Sequence, residues 1–385
     1  MGFFLESPNF RHLNRCKYLK TRAAGVGTFL SIDPSRTYEL YSEGGEKVGT
    51  NPRWIVPHRA YELSIRTVDR CFLFRPNHDK RYPLLDAASS PKSLDPGNDI
   101  IPLPSIINIF GAAIGRALGK HPIRIHAIEC STNHIHIVFS VSEEQMNNVV
   151  PFFRQFLSTV ARKINRLWDR EGPVFGGRAR IHPCLDDESA SQKVLYSMTN
   201  PAKDNLIEKT AHSPFFSTYH HQAKGQSLKY WYIDYNAYYT AGGNRKKTHR
   251  LKDYLKWVTW QTTPLPEHQS MSESQRQTWF RKQVSTLDNH FSQARKESGH
   301  TVIGFEKLAK TDPRDRPKHP KTSGREPLCH CSDKEGRRDF RRKWRDFMNQ
   351  FIPASADYRQ GMRDREFPFG SIRPPLFDIS MSGAP

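Results

Sequence analysis

Between residues 58 and 210 the apolar positions follow two periods, and each change of period marks a new element. Residues 61–74 begin in alternation, with Tyr61, Leu63 and Ile65 set against Glu62, Ser64 and Arg66, the pattern of a strand with one face on a core. The stretch 74–104 carries Pro76, Pro83, Pro91, Pro96 and Pro102 among Asp, Ser and Asn, and reads as a loop or insertion. Residues 105–118 then group Ile106, Ile107, Ile109, Phe110, Ala113, Ile114 and Leu118 on the apolar side of a helix. Two strands follow over 123–129 and 134–141, joined by the turn Cys130-Ser131-Thr132-Asn133. From 143 to 168 apolar residues recur at three and four, which predicts a helix that Pro151 kinks or restarts. Gly172, Pro173, Gly176 and Gly177 end that helix and lead into a fourth strand over 178–184. A last helix reads from Glu188, opened by acidic residues, and Pro201 is expected to follow its end.

The order strand, helix, strand, strand, helix, strand predicts an α+β fold. It is a ferredoxin-like antiparallel sheet with packed helices, and the last helix is appended to it. The chain divides by pattern into a basic leader (1–57), this patterned domain (58–210), a basic, aromatic-rich extension (211–346) and a proline-rich tail (347–385). In the extension, residues 229–239 hold five tyrosines and a tryptophan. Rings this dense either pack on one another or stack on unpaired bases, and packing is the commoner use. Residues 311–325, rich in Pro, Lys and Arg, read as disordered. The run 337–345 is a compact basic patch in which Arg338, Arg341, Arg342 and Lys343 suit phosphate contact as well as they suit a solvated helix face.

Charge narrows the function classes. Lys and Arg number 59 against 39 Asp and Glu, a formal charge of +20, which favours a polyanionic partner. Membrane association is disfavoured: the first residues lack a basic segment ahead of an apolar core, and Pro102 and Pro104 interrupt the uncharged run 100–115. Six cysteines scattered over 385 residues show no disulfide framework. Cys329-His330-Cys331 lacks a second pair at finger spacing, so a structural zinc there is not expected.

Candidate chemistry concentrates at Asn133-His134-Ile135-His136, where strand alternation points both imidazoles to one face. Paired strand histidines alone are more often ordinary sheet residues than ligands. Here a second segment changes the odds: Gln192, Tyr196 and Asn200 lie four apart on one helix stripe, so a phenol and an amide can face the pair together. With the intervening run from Asn165 through Gly172-Pro173-Val174-Phe175-Gly176-Gly177-Arg178, these segments resemble the HUH single-strand DNA transposases with one catalytic tyrosine, specifically the REP-associated tyrosine transposases.

The resemblance covers a little under half of the chain and implies an HUH endonuclease-like core. It implies that Tyr196 is the nucleophile, forming a 5′-phosphotyrosine link, and that His134, His136 and Asn200 hold Mg2+ or Mn2+. The expected partner is single-stranded DNA at a hairpin or repeat, bound by a monomer or homodimer in the cytoplasm, at the bacterial nucleoid. Arg166, Arg178 and Arg180 are candidate phosphate contacts, and His126 and Glu129, on the neighbouring strand, are candidates to support the ligands. The leader, the proline-rich insertion, the long extension and Thr132, where the family commonly has Pro, depart from a compact relative. A non-catalytic hairpin-binding regulator descended from such an enzyme is the alternative. Replication initiators and relaxases share the H-x-H chemistry, but the segment 172–178 and the lack of a helicase signature set them apart.

Overall fold

The computed structural model describes residues 52–77, 104–243, 250–318 and 326–374, with the backbone of three short strands nearer the amino terminus. Most of the leader, the proline-rich insertion from 78 onward, residues 319–325 and the end of the tail lie outside the described residues. Two compact units emerge from the contacts. The smaller comprises Met1–Trp54, Thr322–Leu328 and Arg345–Pro385; the larger comprises Ile55–Lys321 and Cys329–Trp344. In the smaller unit β1 (Tyr18–Leu19), β2 (Phe29–Ser31) and β3 (Leu40–Tyr41) form a sheet in that order, and Trp54 stacks on Phe347.

The larger unit is built on β4 (Tyr61–Arg66), α1 (Ile106–Lys120), β5 (Arg124–Cys130), β6 (His134–Ser140), α2 (Val149–Leu167), β7 (Arg180–Pro183) and α3 (Asp187–Lys203). With β8 (Phe216–Ser217) added, the sheet order is β7-β4-β6-β5-β8 and every pairing is antiparallel. Leaving β8 aside, the first and third strands are central, which is the ferredoxin-like order and the α+β class that the sequence predicts.

Alternation gives the sheet two unlike faces. Ile135, Ile137 and Phe139 of β6 point to the side where α2 packs, with Phe139 and Phe153 in edge contact at 5.1 Å. His134, His136 and Val138 point to the side that α3 covers, where Val194 and Met198 pack against Ala127 and Val138. Behind α3 stand α4 (Tyr219–Lys224) and α6 (Glu273–Glu297), through Tyr219, Phe280 and Val284. α1 is apolar on nearly all sides because it is covered on nearly all sides. Phe110 meets Phe156 of α2 and Phe216 of β8, while the hairpin of β9 (Leu228–Ile233) and β10 (Leu255–Trp260) closes from outside. Part of the dense aromatic run supplies packing: Tyr230 and, in the short α5 (Tyr235–Thr240), Tyr238 are buried, while Tyr239 is exposed.

Several expected boundaries move. The first strand stops at Arg66 because Asp69 and Arg70 adopt left-handed backbone (φ 52° and 60°), turning the chain after β4. α2 begins only at Val149, after a 3-10 turn, which places Pro151 in its first turn, where no N–H is needed. α3 runs through Pro201 to Lys203. The proline lies in the last turn, where its fixed φ is helical and one missing donor is tolerated next to fully buried Met198 and Ala202. Residues on both sides of position 210 share the larger unit, so the extension from 211 packs with the sheet. Within the stretch expected to be disordered, residues 311–318 are held in place: the Phe72 N–H donates to the Asp315 carbonyl at 3.0 Å, and Arg316 pairs with Asp69 at 2.9 Å.

Candidate active site

His134 and His136 open β6 on the face that α3 covers, their rings meeting edge-on at 5.1 Å. Each ring has its Nδ1 engaged by an oxygen, and His134 Nε2 also meets the Asn200 amide. His134 Nδ1 lies 2.9 Å from Asn133 Oδ1, and His136 Nδ1 lies 2.9 Å from Glu62 Oε1. An oxygen that only accepts fixes the proton on Nδ1 and leaves the Nε2 lone pair as the available donor atom, the tautomer a metal-ligating imidazole needs. Burial, then His136 and Arg66, push the His134 pKa well below its ordinary value, so this ring is neutral.

α3 delivers the other two groups. Its start is fixed by a capping box between Asp186 and Ser189, and its buried stripe fixes its rotation. The Asn200 amide nitrogen is then 2.6 Å from His134 Nε2, and the Tyr196 ring stands edge-on to His136 at 5.5 Å. Amide nitrogen and oxygen exchange by a half-turn of the side chain, so Asn200 can present its oxygen at the same place. Lys203 and Lys193 flank the Tyr196 ring at 4.3 and 5.1 Å. Burial raises the phenol pKa, Asp204 and Glu62 add to the rise, and Arg66 opposes it.

Glu62, from the neighbouring central strand, is the hub that the sequence pattern did not single out. Burial pushes its pKa up, but the hydrogen bond from His136, the close approach of the His330 ring and the charge of Lys193 outweigh that and hold it well below the usual carboxylate range. Lys193 Nζ is 3.2 Å and His330 Nε2 2.7 Å from Glu62 Oε2, the latter without hydrogen-bond alignment. One ligating atom each of Glu62, His182 and His330 lies within 4.8 Å of the others, close enough for one ion to bridge them. Lys193 already supplies a cation at that oxygen, so the carboxylate's clearest task is to orient His136. The signal in the sequence was a polar face, Glu62-Ser64-Arg66, on a strand bound for the sheet centre. Its partners followed only from register: Glu62 opposite His182, Ser64 opposite His136, Arg66 opposite His134.

The other expected site residues are distributed unevenly. Arg180 begins β7 opposite Ser64 and is close enough, with Arg70, to lower the Arg66 pKa, after burial. Arg178 is exposed in the segment before β7. Arg166 is not brought to the histidines. It sits on α2 across the sheet, over the Tyr235 ring at 5.3 Å. Arg338, Arg341, Arg342 and Lys343 lie on the exposed side of α8 (Lys334–Arg359), whose Phe340 and Trp344 are buried. Glu129 lies opposite His136 on β5, fully buried, with its pKa raised well above the ordinary value by burial. His126 occupies the bulge of β5 and bonds to Thr263 O and Ser140 Oγ, each at 2.8 Å, away from the pair. The segment 172–178 braces the end of β4: the Gly176 N–H donates to the Arg66 carbonyl at 2.9 Å, and a Cβ there would meet the Thr67 carbonyl at 2.9 Å.

No protein-family model and no curated protein matches the chain. Among solved structures it is similar to a REP-associated tyrosine transposase bound to a REP hairpin, with 14% identity over 46% of this chain and 88% of that one, at a TM-score of 0.31. It is also similar to a bacterial tRNA(His) guanylyltransferase-like protein in complex with ATP, with 11% identity over 61% of this chain and 93% of that one, at a TM-score of 0.27. Among the described residues no helix is long and apolar enough to cross a membrane.

Proposed function

We propose that the protein is a metal-dependent single-stranded DNA endonuclease and strand transferase, a tyrosine transposase acting at hairpin or repeat DNA. The observation that carries this reading is the pair of imidazoles with both Nδ1 atoms engaged by oxygen, set against Asn200 and Tyr196 on one helix.

His134, His136 and the Asn200 amide oxygen would hold the ion. Imidazole donors favour manganese over magnesium, although both remain in the proposal. Bound there, the ion would supply neutralisation and alignment of the scissile phosphate. Tyr196 Oη is the nucleophile. Its bond to phosphorus forms as the bond from phosphorus to the 3′-oxygen breaks, leaving a 5′-phosphotyrosine and a 3′-hydroxyl. The phenol must lose its proton, and the raised pKa makes that harder. Arg66, which favours the phenolate, is the chain's own counterweight. The link conserves the energy of the broken bond, so the reverse attack by a strand end needs no nucleotide.

The test is a covalent-adduct assay on single strands tiling the gene's flanks, with manganese or magnesium, run beside Tyr196→Phe. A metal-dependent protein–DNA band that the variant loses is the expected result. Tight hairpin binding with no adduct on any strand would replace this reading with the non-catalytic regulator.

A further inference from the structure

Beside His134 opens a cleft of about 790 Å³ that the sequence pattern gave no sign of. One wall is the turn after β4, with Arg66, Arg70, Phe72 and Arg75; the other comes from α7 (Phe305–Lys310) and its flanks, with Ile303, Lys307 and Leu308. Thr132, Asn133 and His134 form its base. The second wall belongs to the extension and is firmly attached. Leu308 packs with Ala202 of α3 and with Ile207 after it, the Ile303 N–H donates to the Asn205 carbonyl at 2.9 Å, and Arg75 donates to the Ala309 carbonyl at 2.5 Å.

Its chemistry is of two kinds. Among the described residues Arg66, Arg70, Arg75, Lys307, Arg316 and Lys318 line it with Asp204 and Asp315, and with Arg316 paired to Asp69 the balance is still cationic, which favours an anion. Among them Ile303 is 42% exposed, one of few large apolar side chains so exposed among the described residues; half-buried Phe72 and the edge of buried Leu308 line the same cleft. An apolar surface ringed by cations suits a flat base joined to phosphates. The volume falls within the usual range for a small-molecule site of about 300–1,000 Å³, room for a nucleotide.

We infer that this cleft receives an unpaired nucleotide of the DNA strand, its base against Phe72, Ile303 and Leu308 and its phosphates toward Arg66, Arg70 and Lys307. The inference rests on the reading of the site as one for single-stranded DNA, and it makes the extension a determinant of which base lies next to the cleaved bond.

The experiment measures binding alone. Full-length Tyr196→Phe, in chelator, is titrated into a fluorescent single strand chosen from the gene's flanks by affinity, with one abasic position moved along it. The expected result is one position, or two adjacent, where base removal weakens binding about tenfold, as loss of one stacked base does. Ile303→Ser, a neutral change at an exposed side chain, flattens that profile and leaves affinity for the abasic strand unchanged. Lys307→Glu weakens binding at all positions alike. A flat abasic profile in the parent overturns the inference even if adducts form, as does saturable binding of free dAMP together with a flat profile. A position-specific loss without any adduct keeps the cleft and rejects the nuclease reading.

Discussion

The orientation of one imidazole depends on one carboxylate. His136 Nδ1 is 2.9 Å from Glu62 Oε1, and Lys193 balances the charge of that carboxylate from 3.2 Å. Groups that orient a ligand in this way typically contribute about 10–100-fold to metal affinity. Glu62→Gln keeps the shape and an oxygen for Nδ1 but removes the charge that makes the imidazole a stronger donor. Manganese titration followed by electron paramagnetic resonance is therefore expected to show affinity reduced about 10–100-fold, with the far-ultraviolet circular dichroism unchanged. Unaltered manganese affinity would remove Glu62 from the site. The histidine pair was legible from alternation alone, and so was the four-residue stripe of Tyr196 and Asn200. Glu62, His182 and His330 were not, because they lie far apart in the chain and meet only through strand register and a distant loop.

At the scale of elements, α1 shows how close approach selects glycine. A Cβ on Gly111 would sit 2.4 Å from the Tyr230 ring, whereas one on Gly119 of the same helix would meet nothing within 4 Å. Glycine to alanine in a helix gains about 1 kcal/mol from backbone propensity. Overpacking a filled core costs about 1–3 kcal/mol, so the clash decides at Gly111 and propensity decides at Gly119. Urea denaturation is expected to show Gly111→Ala destabilised and Gly119→Ala stabilised; equal shifts in one direction would contradict the packing of the β9–β10 hairpin on α1. One helix start was readable from local chemistry: Ser105, where the sequence begins the helix, caps α1 through the Asn108 N–H at 3.1 Å, whereas α2 begins at Val149 and not at the expected 143. The end of β4 and the continuation of α3 through Pro201 were not, since both depend on what packs beside them.

For the whole molecule, buried neutral histidines contribute to the response to acid above pH 4. Burial lowers His126 and His220 to a pKa of about 4, against Thr263 and Ala211 carbonyl bonds that raise them. The unfolded chain takes up these protons near pH 6.5 and the folded one does not until about pH 4, so stability falls as pH drops through that window and levels below it. Glu129 works in the opposite direction: its raised pKa means that acid relieves a cost of folding. The contribution of His126 can be isolated by comparing the parent with His126→Gln in denaturant melts between pH 7 and 4. The loss of stability across the window is expected to be on the order of 3 kcal/mol smaller in the variant. Identical pH profiles would show that His126 does not hold off its proton. What the sequence determined by itself was whatever is periodic or local: the α+β order of elements, the face of β6 that carries the histidines, the stripe of α3 that carries Tyr196 and Asn200, and the basic charge of the whole chain. Tertiary structure alone decided that Glu62 serves His136, that the aromatic run covers α1, and that residues 303–318 return to wall a cleft at His134. Side-chain period is fixed by the backbone of a single element, whereas register, helix rotation and loop return are settled by which surfaces exclude water together, a property no short stretch of sequence contains.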